Sequence, residues 1–299
     1  MTNSKCGFVA IVGAPSVGKS TLLNRLLGEK VAITASKPQT TRHRILGVLT
    51  EPHGQLIFWD TPGLHLSERL LNQEMISLSK AALADADVVL WVVDAIKRGL
   101  DHHLARDMTK AVNKPLIVAI NKVDKVPKEG QALLDQLTKS LNPGSRGSVF
   151  QVSAKSGHGL YELKNELYKS LPPQELLYPP DTLTDQPLRV LVGEMVREAV
   201  FRLTSQEIPY ATAVTVEEFN EPFDKNPFYF ISATIHVEKE NQKKMVIGHT
   251  GKSLKAIGQT ARLSLEKFLD CRVFLRLFVR VTKDWSKHPQ KLQEFGYAE

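Results

Sequence analysis

The first 171 residues alternate between short apolar runs and longer amphipathic stretches. The apolar runs are rich in β-branched residues, which is typical of strands buried on both faces of a parallel sheet. The stretches between them carry leucines at helical spacing, as in residues 20–27. This alternation predicts a doubly wound α/β domain with its ligand at the carboxyl edge of the sheet. The predicted strands are 6–12, 45–50, 55–60, 88–94, 115–121 and 148–153.

The pattern changes at residues 172–187, which hold five prolines among polar residues. Proline removes backbone donors and discourages both helix and sheet, so we expect a semi-rigid connector here. Beyond it, residues 188–299 predict a second domain of the α+β class. Its predicted elements are a helix (188–204), two strands (211–219 and 228–237), a helical pair around Gly248–Gly251 and a last strand (272–281).

Composition narrows the functional classes. The chain has 299 residues, of which 42% are hydrophobic and 24% charged, as in a globular protein. Two cysteines do not support a disulfide scaffold or a cysteine-based zinc site, so we expect a reducing compartment. No apolar run approaches the ~20 residues that a membrane-spanning helix needs. The net charge of +7 favours a polyanionic partner.

Residues 13–20, Gly-Ala-Pro-Ser-Val-Gly-Lys-Ser, follow the first predicted strand and open the first predicted helix. This spacing in a strand–loop–helix setting indicates a P-loop rather than a glycine-rich turn without a ligand. Backbone N–H groups at such a loop bind phosphate, the lysine adds positive charge, and the serine hydroxyl is placed to ligate Mg²⁺. The predicted phosphate-binding residues are Gly13, Ala14, Pro15, Ser16, Val17, Gly18, Lys19, Ser20 and Thr21.

Two later segments complete the predicted metal and γ-phosphate site. In P-loop enzymes a threonine in the polar segment after the first helix closes over the nucleotide, and we assign this role to Thr41, with Thr40 as the alternative. Asp60 ends a buried strand and is placed to hold Mg²⁺, while Gly63 is placed to offer its N–H to the γ-phosphate. The predicted magnesium ligands are Ser20, Thr41 and Asp60, the predicted catalytic residues are Lys19, Thr41 and Gly63, and the nucleotide-binding set also takes Asp60, Thr61, Pro62, Gly63 and Leu64.

Leu64 stands where Ras-like enzymes carry the glutamine that orients the attacking water. A leucine side chain neither donates nor accepts a hydrogen bond. The sequence therefore predicts slow intrinsic hydrolysis, with the water positioned by backbone groups or by a partner.

The base-recognition residues are predicted by Asn121-Lys122-Val123-Asp124 at the end of another buried strand. A carboxylate such as Asp124 accepts the adjacent N1–H and N2–H₂ donors of guanine, whereas adenine has no N1–H to offer. We expect Lys122 to lie along the face of the base and Asn121 to hold the surrounding loops together. After the last strand, Ser153, Ala154 and Lys155 complete the set, with the Ala154 N–H directed at guanine O6; a plain βα turn is the alternative.

The second domain segregates charge, with 11 acidic and 5 basic residues in 181–242 and 12 basic and 5 acidic residues in 243–299. The basic half contains Gly248-His249-Thr250-Gly251 before a predicted helix. Such a turn lets a nucleic-acid backbone approach, and Lys252 attracts phosphate. The predicted RNA-binding residues are Ile247, Gly248, His249, Thr250, Gly251, Lys252, Lys255, Ile257, Lys283 and Trp285, with Ile247 and Ile257 as groove walls. Trp285 either stacks on a base or caps the core.

These motifs resemble the Era GTPases, and the α-β-β-α-α-β order with its G-x-x-G turn resembles a type II KH domain. Residues 38–42, Pro62, the apolar residue after Gly63 and residues 283–285 carry the resemblance. It implies GTP and GDP as ligands with Mg²⁺, binding near the 3′ end of small-subunit ribosomal RNA, and a role in assembling the small ribosomal subunit. It also implies a cytoplasmic monomer with peripheral contact at the inner face of the membrane. The family often carries asparagine at the position of Ser16, where related GTPases hold potassium.

The domain pairing suggests that GTP and Mg²⁺ order residues 37–44 and the loop after Asp60, so that the G-x-x-G groove accepts RNA. Two alternatives stay open. One is a constitutive RNA-binding scaffold whose nucleotide only stabilises the first domain. The other is a GTPase acting in tRNA modification, for which neither Cys271 nor the tail supplies a clear reactive group.

Overall fold

The computed structural model describes residues 4–34, 41–42, 45–63, 70–96, 113–205, 207–223 and 227–297. The chain divides into two compact units. The first holds most of the chain up to Asp185, and the second holds the chain from Gln186 onward together with two short earlier segments. No helix in the described part of the chain is both long and apolar enough to cross a bilayer.

The first unit is a six-stranded sheet with helices on both faces, as the alternating pattern predicts. The strand order is β2-β3-β1-β4-β5-β6, and every neighbouring pair is parallel except the β2–β3 hairpin. Its elements are β1 (Lys5–Val12), α1 (Lys19–Leu27), β2 (Ile45–Glu51), β3 (Gly54–Asp60), α2 (Leu70–Asp85), β4 (Val88–Asp94), β5 (Leu116–Asn121), α3 (Gln131–Ser140), β6 (Val149–Gln151) and α4 (Leu160–Ser170).

Two apolar layers cover the sheet. Leu22 of α1 and Leu163 of α4 pack in one layer, and Leu83 of α2 and Leu134 of α3 pack in the other. Because the central strands are buried on both faces, their sequences are nearly all apolar until the strands end. The polar residues that end β3, β4 and β5 therefore meet at one edge of the sheet, beside the loop that follows β1.

Residues 172–185 lie against the first unit rather than forming a free connector. The Gln55 Oε1 accepts the Tyr178 N–H at 3.0 Å, and the Val48 N–H donates to the Leu183 carbonyl at 2.8 Å. The prolines prevent a continuous ladder, but the donors and acceptors between them bond to β2 and β3. The segment forms no helix and no strand of the sheet, and its hydrogen bonds attach it to the sheet edge.

The second unit follows the predicted α-β-β-α-α-β order and adds a short final helix. Strand β8 pairs antiparallel with β7 and parallel with β9, so β7 and β9 are the edges of the three-stranded sheet. Ile231 and Ile235 of the central strand pack with the buried side of the helices. The elements are α5 (Leu188–Leu203), β7 (Ala213–Asn220), β8 (Tyr229–Val237), α6 (Glu240–Ile247), α7 (Lys252–Leu269), β9 (Val273–Val281) and α8 (Pro289–Glu294).

Candidate nucleotide site and nucleic-acid interface

The loop between β1 and α1 uses glycine where the backbone is left-handed and crowded. Gly18 has φ of 100°, and a Cβ there would lie 2.4 Å from the Asn121 Nδ2. A Cβ on Gly13 would lie 2.3 Å from the Val92 carbonyl oxygen. Gly63 is held just as tightly, since its Cβ would meet the Pro15 Cα at 2.8 Å. Larger residues at these positions would displace the loop, so the glycines keep its N–H groups close to the strand ends.

Lys19 is buried at the base of this loop with 6% of its surface exposed. Its Nζ donates to the carbonyls of Gly13 at 3.0 Å and Ala14 at 3.1 Å. Burial lowers the pKa of Lys19 to about 8, and the nearby Asp60 carboxylate opposes that shift. The ammonium is thus held at the loop by weak neutral acceptors, and an anion there would stabilise its charge.

The three predicted magnesium ligands lie within hydrogen-bond distance of one another. The Ser20 Oγ donates to the Asp60 Oδ2 at 2.7 Å and lies 2.8 Å from the Thr41 Oγ1, which is itself 3.3 Å from the same carboxylate oxygen. The Asp60 Oδ1 is buried and has no hydrogen-bond partner. Burial raises the pKa of Asp60, while Lys19 and the two hydroxyls oppose the shift.

This cluster fits Mg²⁺ because it offers two hydroxyls and one carboxylate, the hard oxygen donors that the ion prefers. Within the described ranges no group of three or more His, Cys, Asp or Glu side chains forms another metal site. Ser20, Thr41 and Asp60 therefore stay the predicted ligands, and the uncompensated Asp60 oxygen is the atom that most needs a cation or its water shell.

Asn121 joins three loops at the predicted base pocket. Its Nδ2 donates to the Val17 carbonyl, and its Oδ1 accepts the Ala154 N–H, both at 2.9 Å. The sequence assigned that N–H to guanine O6, but here it is already bonded to Asn121. The asparagine thus holds the P-loop and the segment after β6 in a fixed relation, as predicted for it.

Lys122 is positioned by a residue that the sequence analysis did not assign to the site. Asp94 ends β4 with 3% of its surface exposed, and its Oδ2 lies 2.7 Å from the Lys122 Nζ. The same Nζ donates to the Ser16 carbonyl. Its position at the carboxyl end of a buried strand could have predicted a role at the site, because the same argument identified Asp60.

Asp124 is exposed, and its Oδ1 accepts the Ser153 Oγ at 2.6 Å. The Ser153 hydroxyl therefore orients the carboxylate before any base arrives. Thr61, in contrast, is fully buried and donates to the Ile11 carbonyl at 2.7 Å, which ties β3 to β1. Leu64 and Thr40 lie outside the described residues, so their predicted roles remain predictions.

The turn between α6 and α7 has a backbone built for close approach. Gly248, Thr250 and Gly251 all have positive φ, and no atom lies within 4 Å of where a Cβ on Gly251 would stand. Lys252 and Lys255 begin α7 with exposed side chains. A groove of about 690 Å³ runs beside them, lined by Gly251, Leu254, Lys255, Gly258, Gln259, Arg262, Leu275 and Leu277.

The apolar side chains predicted for RNA binding do not line this groove. Ile247, one of the two predicted walls, is partly buried and lies outside the groove lining. Ile257 is fully buried in the core, so it is not a groove wall. Trp285 is also fully buried, and its Nε1 donates to the Ala211 carbonyl at 2.9 Å. A ring without exposed surface cannot stack on a base, so Trp285 caps the core. Leu254, Leu275 and Leu277 supply the apolar wall instead.

Comparison with known proteins places both units in one family. Residues 8–122 match the family model described as 50S ribosome-binding GTPase, and residues 207–286 match the KH domain model. GTPase Era of Geotalea uraniireducens is 44% identical, covering 98% of each chain. GTPase Era of Pseudomonas aeruginosa is 42% identical, covering 99% of this chain and 96% of that protein.

Solved structures agree over the whole length. An Era protein in complex with MgGDPNP and nucleotides 1506–1542 of 16S ribosomal RNA superimposes with a TM-score of 0.91 at 42% identity, covering 99% of this chain and 100% of that one. A variant of Aquifex aeolicus Era bound to GDP·AlF₄⁻ matches with the same values. Since the likeness spans both the P-loop unit and the KH unit, the chain belongs to the Era family of GTPases.

Proposed function

We propose that this chain is a GTP-hydrolysing switch that binds the 3′ region of small-subunit ribosomal RNA through its KH unit and assists assembly of the small ribosomal subunit. The observation that carries the proposal is that one chain holds both a complete set of guanine-nucleotide motifs and an open G-x-x-G groove. The Era structure with MgGDPNP and a 16S ribosomal RNA segment, which matches over 99% of this chain, supports the pairing of these two ligands.

Nucleotide binding starts at the buried phosphate loop. The N–H groups after Gly13 and the N-terminus of α1 surround the phosphates, and Lys19 exchanges two carbonyl acceptors for phosphate oxygens. Ser20, Thr41 and Asp60 would hold Mg²⁺. When bound, the ion neutralises charge that develops on the β- and γ-phosphates. Loss of the γ-phosphate would remove a contact that favours the bound position of Thr41, so that position should depend on hydrolysis.

Guanine is selected by Asp124, which Ser153 already orients. Because Asp124 is exposed, its carboxylate stays hydrated until a base covers it. A base without matching hydrogen-bond donors removes that water and leaves the carboxylate unpaired, which costs binding free energy. The discrimination against adenine nucleotides thus arises at the moment of binding. Hydrolysis is slow without a partner, since Leu64 supplies no side-chain hydrogen bond to the attacking water.

RNA binding uses the turn and the groove together. The backbone at Gly248 and Gly251 admits a phosphate, and the exposed Lys252 and Lys255 attract it. Unpaired bases then enter the groove against Leu254 and the side chains of β9. This arrangement favours a single strand over a duplex, because only splayed bases reach the apolar wall.

The test is the affinity for an oligonucleotide from the 3′ end of small-subunit ribosomal RNA, measured with GDP and with a non-hydrolysable GTP analogue. We expect at least tenfold tighter binding with the analogue, which is about 1.4 kcal/mol of coupling. Gly251→Asp should abolish it. Gly144→Asp is the matched control, because Gly144 also has positive φ and open space around it but lies in the first unit.

The outcomes separate the alternatives. Equal affinities in the two nucleotide states, lost in Gly251→Asp, would indicate a constitutive RNA-binding scaffold. Binding that Gly251→Asp and Gly144→Asp leave unchanged would remove the KH groove from the proposal.

We also propose that the protein acts as a cytoplasmic monomer with peripheral contact at the inner face of the membrane. The net charge of +7 supports attraction to an anionic surface. Co-sedimentation with anionic and with neutral lipid vesicles tests the membrane contact. The protein should sediment with the anionic vesicles and not with the neutral ones. Light scattering at working concentration tests the monomer.

A further inference from the structure

The side of β9 that faces away from the helices carries an unusual repeat. Four alternate residues of β9, together with Arg272 just before it, are exposed, and they alternate arginine with phenylalanine. Phe274 keeps 52% of its surface exposed and Phe278 keeps 51%. The intervening residues, such as Leu275, turn inward and pack against the core of the unit. We call this surface the Phe/Arg face; it consists of Arg272, Phe274, Arg276, Phe278 and Arg280.

One ring of this face lies flat against a ring of the neighbouring strand. Phe230 on β8 is the register partner of Phe274, and the two rings stack with centroids 5.5 Å apart and planes 9° from parallel. The Arg276 guanidinium lies 5.1 Å from the centre of the Phe230 ring. Planar groups are therefore already layered on the sheet surface, and the outer surface of each exposed ring is available to another planar group.

The arginines of this face differ from those of the neighbouring helices. Arg262 on α7 forms an ion pair with Glu266 at 2.9 Å, and Arg202 on α5 pairs with Glu198. Within the described ranges, Arg272, Arg276 and Arg280 form no ion pair. Acidic side chains of the sheet lie on the opposite edge strand, where Glu217 and Glu218 of β7 are exposed. The β9 edge is thus mainly basic, with Glu294 of α8 close enough to Arg280 for the arginine to lower its pKa.

Protection of the sheet edge explains only half of this pattern. Charged side chains on an edge strand discourage pairing with other chains, so the arginines alone suit that purpose. Two half-exposed phenylalanines work against it, because exposed apolar surface promotes association. The combination of rings and guanidinium groups instead has the composition of a surface that stacks bases and attracts phosphates.

The Phe/Arg face and the G-x-x-G groove lie on opposite sides of the same strand, β9. Leu275 and Leu277 line the groove on the helix side of β9, while Phe274, Arg276 and Phe278 lie on its other side. Because β9 is an edge strand, a chain leaving the groove needs only to turn around that edge to reach the rings. Phe274 and Phe278 stand roughly 13 Å apart along the strand, given the rise of an extended chain.

We propose that the Phe/Arg face is a second RNA-binding surface, on which unpaired bases of the same strand stack after that strand leaves the groove. The inference rests on the proposed RNA-binding function and extends it from one side of β9 to both. Phe274 and Phe278 supply the stacking surfaces, and the three arginines bind the phosphates between the stacked bases. Because any base can stack on an aromatic ring, the face should strengthen the binding of longer RNA strands regardless of their sequence.

The experiment compares two oligonucleotides from the 3′ region of small-subunit ribosomal RNA. The short one has about four nucleotides, which a G-x-x-G groove clamps, and the long one has about twelve, within the range that single-strand-binding surfaces cover. Phe274→Ala/Phe278→Ala should weaken the long RNA at least tenfold and the short RNA less than twofold. Tyr161→Ala, which removes a 70% exposed ring from the first unit, is the control and should change neither.

Substitution series separate stacking from general apolar contact. Phe274→Tyr/Phe278→Tyr should restore the long-RNA affinity, whereas Phe274→Leu/Phe278→Leu should not. Long-RNA affinity that stays within twofold in the alanine double variant overturns the proposal. Loss of binding to anionic vesicles with unchanged RNA affinity would assign the face to membranes and overturns it as well. If Gly251→Asp leaves the short RNA bound, the proposed groove function fails instead.

A second measurement on the unmodified sequence guards against a variant that does not fold. RNA carrying 4-thiouridine at its distal end, bound to the wild-type protein, should crosslink to the peptide spanning 272–280 when the long RNA is used. Crosslinks confined to 248–262 would overturn the proposal.

Discussion

The nucleotide site and the RNA surface both bind phosphates, but their lysines and arginines are held in opposite ways. Lys19 is buried and bonded to two carbonyls, and the cluster beside it is bonded internally from Ser20 to Asp60. Lys252, Lys255 and the arginines of the Phe/Arg face are exposed. The buried site fixes its geometry before the ligand arrives, so single changes should act in an all-or-none manner. The open surface should respond in graded, salt-sensitive steps.

The largest effect is expected where one side chain carries a whole recognition step. Asp124→Ala should weaken GTP binding about a thousandfold, because two charge-assisted hydrogen bonds to guanine are lost. It should also remove most of the preference for GTP over ATP. Fluorescent-nucleotide titration measures both, with the exposed Asp135→Ala on α3 as the control. Retained discrimination in Asp124→Ala would assign guanine recognition elsewhere.

Trp285 tests the corrected boundary between core and RNA surface. Trp285→Ala should destabilise the second unit by about 3–5 kcal/mol, since a fully buried ring is removed from a packed site. Trp285→Phe should cost about 1–2 kcal/mol through the lost bond to the Ala211 carbonyl. Denaturant unfolding measures these changes. RNA affinity of the folded fraction of Trp285→Leu should be unchanged, because leucine cannot stack on a base, and a tenfold loss there would restore the base-stacking role.

The lowered pKa of Lys19 makes nucleotide binding depend on pH. With a pKa of about 8 in the free protein, Lys19 loses its proton above that pH, whereas bound phosphates favour the ammonium and raise its pKa. Binding then takes up a proton, so GDP affinity should fall about tenfold between pH 7 and pH 9. Calorimetry in buffers of different ionisation enthalpy measures the proton uptake. In Lys19→Arg the side chain stays charged, so the GDP affinity of this variant should change little between pH 7 and pH 9. An equal fall in the variant would show that Lys19 is not the titrating group.

The smallest effects belong to the open surface. Lys255→Gln should weaken RNA binding only about twofold to fivefold and reduce the slope of log affinity against log salt by about 0.7, the value for one phosphate contact on a single strand. Lys139→Gln, an exposed lysine of α3, is the matched control. An all-or-none loss in Lys255→Gln would show that the groove is preorganised like the nucleotide site.

The fold and the nucleotide motifs were largely predictable because each depends on local pattern. Strand ends at Asp60 and Asn121 follow from apolar runs, and the P-loop glycines follow from backbone conformations that other residues avoid. The order of elements in the second unit was confirmed for the same reason.

Side-chain direction in the second unit was not predictable in this way. Periodicity places Ile257 on an apolar stripe of α7, but Leu254 and Gly258 lie beside it, and only tertiary packing decides which part of the stripe is covered. Trp285 follows the last strand, so nothing local fixes its neighbours. Asp94 was missed because it belongs to no motif, although its place at the end of β4 gave the same signal as Asp60.

The segment after α4 has a mechanical consequence. Before the chain reaches Gln186, the Leu183 carbonyl and the Thr184 hydroxyl bond to the backbone of Val48 and Leu46, on the strand that begins four residues after Thr41. Tension on the chain at residue 186 would therefore load β2 first rather than the end of α4. Residues 183–184 are thus hydrogen-bonded to β2, and β2 follows Thr41 closely along the chain. A force on residues 183–184 would therefore also strain the backbone near Thr41.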